Sequence, residues 1–390
     1  MTSSKADVVI IGGGIIGSAI AWWLTRQPGY TGRVVVVEKD PTYQYSSTTL
    51  SAASIRQQFS TPENIAMSAY GIDFLRNVKT LLDSKTEIGL HEGGYLMLAT
   101  ASGRDTLARN VALQRRHGAR IELFNVAELA RRFPWLTLED IDCGGYGVTG
   151  EGWFDAYALL QGFRRCARRQ GVDYITDEVT AVTVENGIAR SVSLLGGSTI
   201  YCGTVVNAAG AAGGRVAALS GLTLPVEPRK RCVFVFSCPA EATITDCPLV
   251  VDPSGLYFRR EGTQFITGIP PEQDPACWDF DVDHALFDRV IWPLLAARVP
   301  AFESLRMTNA WAGHYEYNTL DQNAILGPHP EVSNYLFANG FSGHGLQQAA
   351  AAGRATAELI VHGTYKSIDL SIFNYDRIAA RRAVRELNVI

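Results

Sequence analysis

The chain has 390 residues, of which 47% are hydrophobic and 19% charged, and its net charge is −4 at neutral pH. This length predicts two domains, the composition argues against disorder, and the charge gives no reason to expect nucleic acid or a membrane surface as partner. Seven cysteines without a C-x-x-C pair favour free thiols in a reducing, cytoplasmic compartment over disulfides, and the Cys/His spacing indicates no metal site. Glycines interrupt the apolar N-terminal stretch, so we expect a soluble protein without a membrane span.

The first forty residues predict a βαβ unit. VVIIGGG indicates a buried strand stopped by glycines, SAIAWWL a helix, and VVVVE a second buried strand. Gly12, Gly14 and Gly17 form G-x-G-x-x-G between the first strand and the helix, and Glu38 ends the next strand. This context predicts a dinucleotide site in which the helix N-terminus binds phosphates and Glu38 accepts hydrogen bonds from a ribose.

The middle of the chain alternates between helical and extended patterns. We expect a helix that begins at Pro62 and another over 155–170, whose arginine-rich face is solvated. A meander of hairpins is expected over 172–208, further strands over 229–269, and a helix over 283–298.

Nucleotide-type elements open the chain and reappear near residues 205–215 and 335–360, where the chain closes with a helix over 346–362. This order predicts an α/β fold, α+β overall, in which a discontinuous Rossmann-like domain carries an inserted antiparallel-sheet domain that binds substrate. The expected limits are 1–88, 147–222 and 315–390 for the nucleotide-binding domain, and 89–146 and 223–314 for the inserted domain.

A second glycine-rich turn, FSGHGLQQAA, lies between the last strand and the last helix. If it meets the first turn, Gly343 and Gly345 bring a second helix N-terminus to the same cofactor. That positive end would stabilise the negative charge of a reduced flavin, which favours FAD over NAD. An NAD-dependent dehydrogenase and an ordinary strand-turn-helix connection remain the alternatives.

The sequence resembles the D-amino-acid oxidase superfamily, in particular its sarcosine-oxidase-like and glycine-oxidase-like branch. The matching stretches are VVIIGGGIIGSAIAWWL, VVVVEK, VVNAAGAAG, WAGHYEYNTLDQNAILGPHPEVSNYLFANG and GFSGHGL. LPVEPRKRCVFVF, GLYFRREG and YKSIDLSIF are most similar to FAD-dependent oxidoreductase-domain proteins linked to the assembly of respiratory complex I.

This resemblance implies FAD bound across both turns and oxidation of the C–N bond of an amino acid or an N-methylated or secondary amine. Hydride passes to flavin N5, and oxygen, an electron-carrier protein or a quinone accepts the electrons. The residues implied to bind the cofactor are Gly12, Gly14, Ile16, Gly17, Glu38, Lys39, Ser47, Thr48, Val179, Ala209, Gly210, Gly313, Gly343, His344, Gly345, Leu346 and Gln347.

The residues implied at the substrate are Arg56, Tyr315, His344 and Gln347. Arg56 falls where relatives bind a substrate carboxylate, although a surface or capping role is equally open. His344 falls beside the flavin ring, although it could instead stabilise the turn. Pocket-lining aromatic side chains are expected among Tyr257, Trp311, Tyr315 and Tyr317.

Three departures from the family pattern modify this expectation. Where some relatives have a cysteine that attaches the flavin, the corresponding segment here is Gly313-His314-Tyr315, so the FAD is expected to be non-covalent. Gln347 replaces a carboxylate-binding lysine, and no lysine occurs between Lys230 and Lys366 to promote reaction with oxygen. We therefore expect a dehydrogenase rather than an efficient oxidase, and a flavin-containing assembly or binding factor without turnover is the alternative.

Overall fold

The structure is a computed structural model that describes residues 3–387. The strands are β1 (Ser3–Ile11), β2 (Val34–Glu38), β3 (Ser54–Ile55), β4 (Tyr95–Ala99), β5 (Ile121–Asn125), β6 (Cys143–Gly147), β7 (Gly152–Trp153), β8 (Asp173–Thr176), β9 (Val179–Glu185), β10 (Ile188–Leu194), β11 (Thr199–Asn207), β12 (Val226–Ser237), β13 (Leu249–Val251), β14 (Tyr257–Glu261), β15 (Gln264–Gly268), β16 (Arg306–Asn318), β17 (Ile325–His329) and β18 (Val332–Asn339).

The helices include a π-helical turn, Phe287–Ile291, within the segment 283–298 that was predicted as one helix. They are α1 (Ile15–Leu24), α2 (Pro62–Arg76), α3 (Val78–Leu81), α4 (Arg104–Arg116), α5 (Val126–Arg132), α6 (Ala156–Arg169), α7 (Gly213–Ala218), α8 (His284–Leu286), α9 (Trp292–Arg298), α10 (Gly345–His362) and α11 (Asp376–Ala379). α11 follows the helix that was expected to close the chain.

The first large sheet contains a parallel core in the order β18, β11, β1, β2 and β8. β17 adds an antiparallel edge, and the β9–β10 hairpin pairs with the first half of β11. Its turn at Asn186-Gly187 has positive φ at both residues, as the Asn-Gly sequence predicts. The fold class is therefore confirmed as α/β, with a Rossmann-like parallel sheet in the first domain.

β1 is buried on both faces, which explains its continuous apolar sequence. Val8 and Ile10 pack in the cluster that contains α1, α2, α6 and α10, whereas Val9 and Ile11 pack on the side of the hairpin strands. Because the strands of this core are parallel, their C-terminal ends lie at the same edge of the sheet. The glycine turn that follows β1 lies at that edge.

The second large sheet runs in the order β16, β12, β15, β14, β13, β4, β6 and β5, and every pair except β4–β13 is antiparallel. One face is covered by the α8–α9 segment, where Phe287 and Leu295 pack against Phe234 and Phe258. The first sheet draws its strands from 3–38, 173–207 and 325–339, and the second from 95–147 and 226–318. The exact domain limits stay predictions, and β16 runs across one of them.

The expected solvated arginine face of α6 is wrong in part. Arg165 and Arg169 both donate to Asp83, and this pairing holds the pKa of the Asp83 carboxyl well below its usual range. Arg164 and Arg168 stack over Tyr174. These contacts tie α6 to the segment after α3, a long-range pairing that helical periodicity cannot reveal.

The seven cysteines are all free, and five of them are buried. Within residues 3–387, no helix combines the length and apolar character that a bilayer crossing requires.

Candidate functional site

A cleft of about 840 Å³ lies between the two large sheets, within the roughly 300–1,000 Å³ typical of cofactor and ligand sites. Its walls come from both glycine-rich turns, the segment after β2, the C-terminal end of β11, and strands β12, β14 and β16. The turns that are far apart in sequence therefore border one cavity.

The first turn is built for close backbone approach. Gly12 has φ +100°, and a Cβ there would lie 2.4 Å from the carbonyl oxygen of Ala208. A Cβ on Gly17 would lie 1.9 Å from the carbonyl oxygen of Gly12, so Gly17 is required for packing of helix against strand. By contrast, a Cβ on Gly14 would meet only Thr48 Oγ1, at 3.6 Å, because Gly14 faces the open cleft.

Glu38 lies at the C-terminal end of β2 and lines the same cleft. Its Oε2 accepts a hydrogen bond from the backbone N–H of Gly13 (2.8 Å), and its Oε1 accepts one from Asp40 (2.9 Å). These bonds hold the carboxylate beside the N-terminus of α1, where a ribose hydroxyl could donate to it.

The second turn places the N-terminus of α10 on the cleft. Gly343 has φ +96°, and a Cβ there would lie 2.5 Å from the ring of Tyr315, so only glycine allows the ring to approach the backbone. His344 is the N-cap residue, and Gly345 and Leu346 line the cavity. The positive end of an 18-residue helix is thereby directed at the cleft.

Most of the remaining predicted cofactor residues also border the cavity. Ser47 Oγ donates to the carbonyl oxygen of His314 (2.6 Å), and Thr48 Oγ1 accepts from the backbone N–H of Ile15 (3.2 Å), which fixes this loop over the first turn. The other predicted residues on the wall are Ile16, Lys39, Val179, Ala209, Gly210 and Gly313.

Arg56, His344 and Gln347 lie behind the wall, and none of them lines the cleft. Arg56 is 2% exposed; it donates to the carbonyl oxygen of Gln58 (2.5 Å) and contacts His344 Nε2 (3.1 Å). Gln347 Oε1 accepts from the backbone N–H of Arg56 (2.9 Å). Arg56 thus joins the other two residues, through its side chain to His344 and through its backbone to Gln347, and the roles of all three at substrate stay predictions.

Burial and the neighbouring Arg56 lower the pKa of His344 to about 3. The ring is therefore neutral at physiological pH. Because a guanidinium can only donate, His344 Nε2 accepts from Arg56 and the ring proton resides on Nδ1. A neutral ring at this position fits the expectation that His344 stabilises the turn, and its role at substrate stays a prediction.

Of the predicted aromatic residues, Tyr257 and Tyr315 line the cleft, whereas Trp311 and Tyr317 do not. Trp311 Nε1 instead donates to the carbonyl oxygen of Leu50 (2.9 Å). Alternation along each strand decides which side chains face the cavity, but the sequence does not show which face of the sheet the cavity borders.

Sequence reasoning missed Arg231, Glu316 and Tyr43 on the wall. Burial raises the pKa of Glu316 to about 8, and Glu316 Oε2 accepts from the backbone N–H of Gly340 (3.0 Å). The buried hydroxyl of Tyr43 has no hydrogen-bond partner among residues 3–387. The sequence did contain a signal for Arg231, because it is a charged residue in β12 and side chains of this strand alternate between the core and the opposite face.

Comparison with known proteins agrees with this arrangement. The family model "FAD dependent oxidoreductase" (DAO) matches residues 7–359. The chain is 43% identical to FAD-dependent oxidoreductase domain-containing protein 1 of Xenopus laevis, over 99% of this chain and 85% of the relative. It is 26% identical to mitochondrial dimethylglycine dehydrogenase of Homo sapiens, over 92% of this chain and 43% of the relative.

Among solved structures, L-proline dehydrogenase from P. horikoshii is similar, with a TM-score of 0.87 and 25% identity over 98% of this chain and 100% of that chain. The chain belongs to the DAO family of FAD-dependent oxidoreductases.

Proposed function

We propose that the protein oxidises the C–N bond of an amino acid or of an N-methylated or secondary amine. The observation that carries the proposal is the single cleft bordered by both glycine-rich turns on one side and by a sheet with tyrosines on the other. Two of the similar proteins are named for the oxidation of N-substituted amino acids, dimethylglycine and L-proline.

The residues of the cleft fit FAD. Gly14 leaves space at the N-terminus of α1 for a pyrophosphate, and Glu38 lies where a ribose would donate to it. The unpartnered hydroxyl of Tyr43 lies beside Gly13, where a Cβ would be 2.8 Å away, so a bound ligand can supply the partner that this hydroxyl lacks. Gly343, Gly345 and the N-terminus of α10 would face the isoalloxazine ring.

Bound FAD supplies the hydride acceptor. The chain contributes orientation and exclusion of water: the rings of Tyr257 and Tyr315 form an apolar wall, and their buried hydroxyls can orient a polar substrate. The buried neighbourhood favours an uncharged amine, so the chain needs no strong base. The resulting imine hydrolyses in water.

We infer that the FAD is non-covalent and that an acceptor other than oxygen is preferred. Among residues 3–387, no cysteine lines the cleft, and the only cationic side chains on its wall are Lys39 and Arg231. Lys39 lies at the end of β2, on the expected adenosine side. The wall therefore offers no lysine beside the tyrosines to promote reaction with oxygen.

A flavin-containing assembly or binding factor without turnover is the second candidate. It is favoured because Arg56 and Gln347, which were predicted to lie at the substrate, are behind the wall of the cleft and contact other protein groups.

Anaerobic mixing of the purified protein with proline, sarcosine, dimethylglycine and a panel of primary amino acids separates the two candidates. Loss of the visible flavin absorbance with any of them supports the enzyme, and unchanged absorbance with all of them supports the second candidate. Acid precipitation that leaves the flavin in the supernatant supports non-covalent FAD.

A further inference from the structure

Glu316 places a carboxyl group where the second glycine-rich turn meets α10. The residue lies in β16 and lines the cleft, yet it is only 9% exposed. Its Oε2 accepts a hydrogen bond from the backbone N–H of Gly340, just before the turn, and its Oε1 lies 3.2 Å from the position that a Cβ of Gly345 would occupy. The carboxyl group therefore lies between the start of the turn and the first residue of the helix.

This carboxyl group lies beside the N-terminus of α10 but does not cap it. No described side chain accepts a hydrogen bond from this helix end, and within residues 3–387 only the Oε2 atom of Glu316 has a hydrogen bond. The first N–H groups of a helix lack partners within the helix and carry its positive end. Gly345 and Leu346 line the cavity, so this end of α10 is available to a bound anion.

The surroundings of Glu316 supply no charge that would hold it ionised. Burial raises its pKa to about 8, and no charged side chain among residues 3–387 contributes to this shift. Burial lowers the pKa of His314, and burial together with Arg56 lowers the pKa of His344 to about 3, so both rings are neutral when Glu316 titrates. Tyr315 keeps its proton because burial raises its pKa. The charged side chains on the neighbouring elements each have another partner: Arg215, Arg229, Lys230, Arg231 and Asp321.

An ionised Glu316 would compete with any anion bound at α10. Both negative charges would share one helix end in a buried cavity, and each of them makes the other less favourable, because like charges in a buried site raise the pKa of a carboxyl group. An oxidised flavin ring is uncharged, whereas the reduced ring carries the negative charge that this helix end stabilises. The protonation of Glu316 must therefore depend on whether the bound flavin is oxidised or reduced.

We propose that Glu316 couples proton uptake to flavin reduction: its carboxylate, which forms at alkaline pH while the flavin is oxidised, takes a proton from water when the flavin is reduced. Below that pH range, reduction consumes two electrons and one proton and yields the anionic reduced flavin. Above it, reduction consumes two electrons and two protons, because the second proton converts the Glu316 carboxylate to the acid. The proposal rests on the placement of the flavin ring at α10 that the proposed function uses, but it requires no substrate.

The test is a spectroelectrochemical titration of the FAD-loaded protein at several pH values. For a two-electron couple, each proton taken up lowers the midpoint potential by about 30 mV per pH unit. In the wild type, we expect a slope of about 30 mV per unit between about pH 7 and 8, and a slope approaching about 60 mV per unit above about pH 8. Glu316→Gln cannot ionise and should keep about 30 mV per unit throughout, so the two potentials coincide near neutral pH and separate at alkaline pH.

Glu227→Gln is the matched control. Glu227 precedes Pro228, the residue of β12 that pairs with Glu316, but it does not line the cavity. We expect the wild-type steepening in this variant. If Glu316→Gln loses its FAD, proton uptake by the wild type during electrochemical reduction in unbuffered solution replaces it, and a pH-indicator dye should report one proton per flavin at neutral pH and a value approaching two at alkaline pH.

A wild-type slope that stays uniform, or an uptake of one proton at every pH, overturns the proposal. Steepening that persists in Glu316→Gln also overturns it, because another group would then take up the proton. Flavin reduction by an amine in a protein with a uniform slope refutes this inference and leaves the proposed function intact. Steepening that requires Glu316, without reduction by any amine, supports this inference and counts against the proposed function.

Discussion

Gly353 of α10 lies directly against Ala19 of α1: a Cβ at Gly353 would come within 2.7 Å of the Ala19 Cβ. α1 and α10 follow the two glycine-rich turns, so their close packing sets the distance between the two helix N-termini. The cleft thus depends on a contact between residues more than three hundred positions apart in the chain.

Gly353→Ala should therefore destabilise the protein, although the same change usually stabilises a helix interior by up to about 1 kcal/mol. We expect a loss of about 1–3 kcal/mol from overpacking, together with lower FAD content as the turns separate. Urea unfolding and the visible flavin absorbance measure both effects. Gly103→Ala is the control, since its Cβ would have only ordinary contacts at 3.4 Å or more; a stable Gly353→Ala protein would contradict the packing argument.

Gly14→Val should separate cofactor binding from folding. A side chain at Gly14 enters the open cleft, so we expect near-normal stability of the apoprotein but at least a roughly ten-fold loss of FAD affinity. Gly17→Val should instead reduce soluble, folded protein, because its side chain collides with the backbone of Gly12. Circular dichroism and FAD titration distinguish the two variants, and full FAD occupancy in Gly14→Val would show that the pyrophosphate binds elsewhere.

His344 should make the protein sensitive to acid. Its pKa falls from an ordinary 6.5 to about 3 on folding, so the unfolded chain binds a proton between these values that the folded protein does not. Stability must therefore decrease as pH falls below about 6.5. His344→Gln, which keeps an acceptor for Arg56, should lessen the loss between about pH 6.5 and 5 by about 2 kcal/mol in urea unfolding. The exposed His117→Gln serves as control, and identical pH profiles would refute the prediction.

Glu316 should make the stability of the protein depend on pH in the direction opposite to that of His344. Its pKa rises from an ordinary 4.5 to about 8 on folding, so the folded protein retains a proton that the unfolded chain has released. Stability must therefore decrease as pH rises towards about 8. Glu316→Gln should lessen the loss between about pH 6 and 8 by about 2 kcal/mol, whereas the exposed Glu122→Gln should not. An unchanged slope would mean that Glu316 is already ionised at neutral pH.

The sequence alone predicted the βαβ unit, the fold class and the two turns, because each is encoded locally. A β-branched run followed by glycines is typical of a strand that ends in a tight turn, and Gly12 adopts a φ that other residues avoid. The resemblance implied FAD, which the second turn already favoured over NAD and which the family match bears out. It also named most of the residues that line the cleft.

The directions of individual side chains were decided only by the tertiary structure. Arg56 and Arg231 are both arginines near tyrosines in the fold, yet Arg56 is enclosed with His344 and Arg231 lines the cavity. The difference arises because the edge of the first sheet that carries both turns meets one face of the second sheet, and this contact determines which face of β12 borders the cleft. Spacing along one strand encodes alternation between faces, but only contacts between distant segments determine which face encloses the ligand.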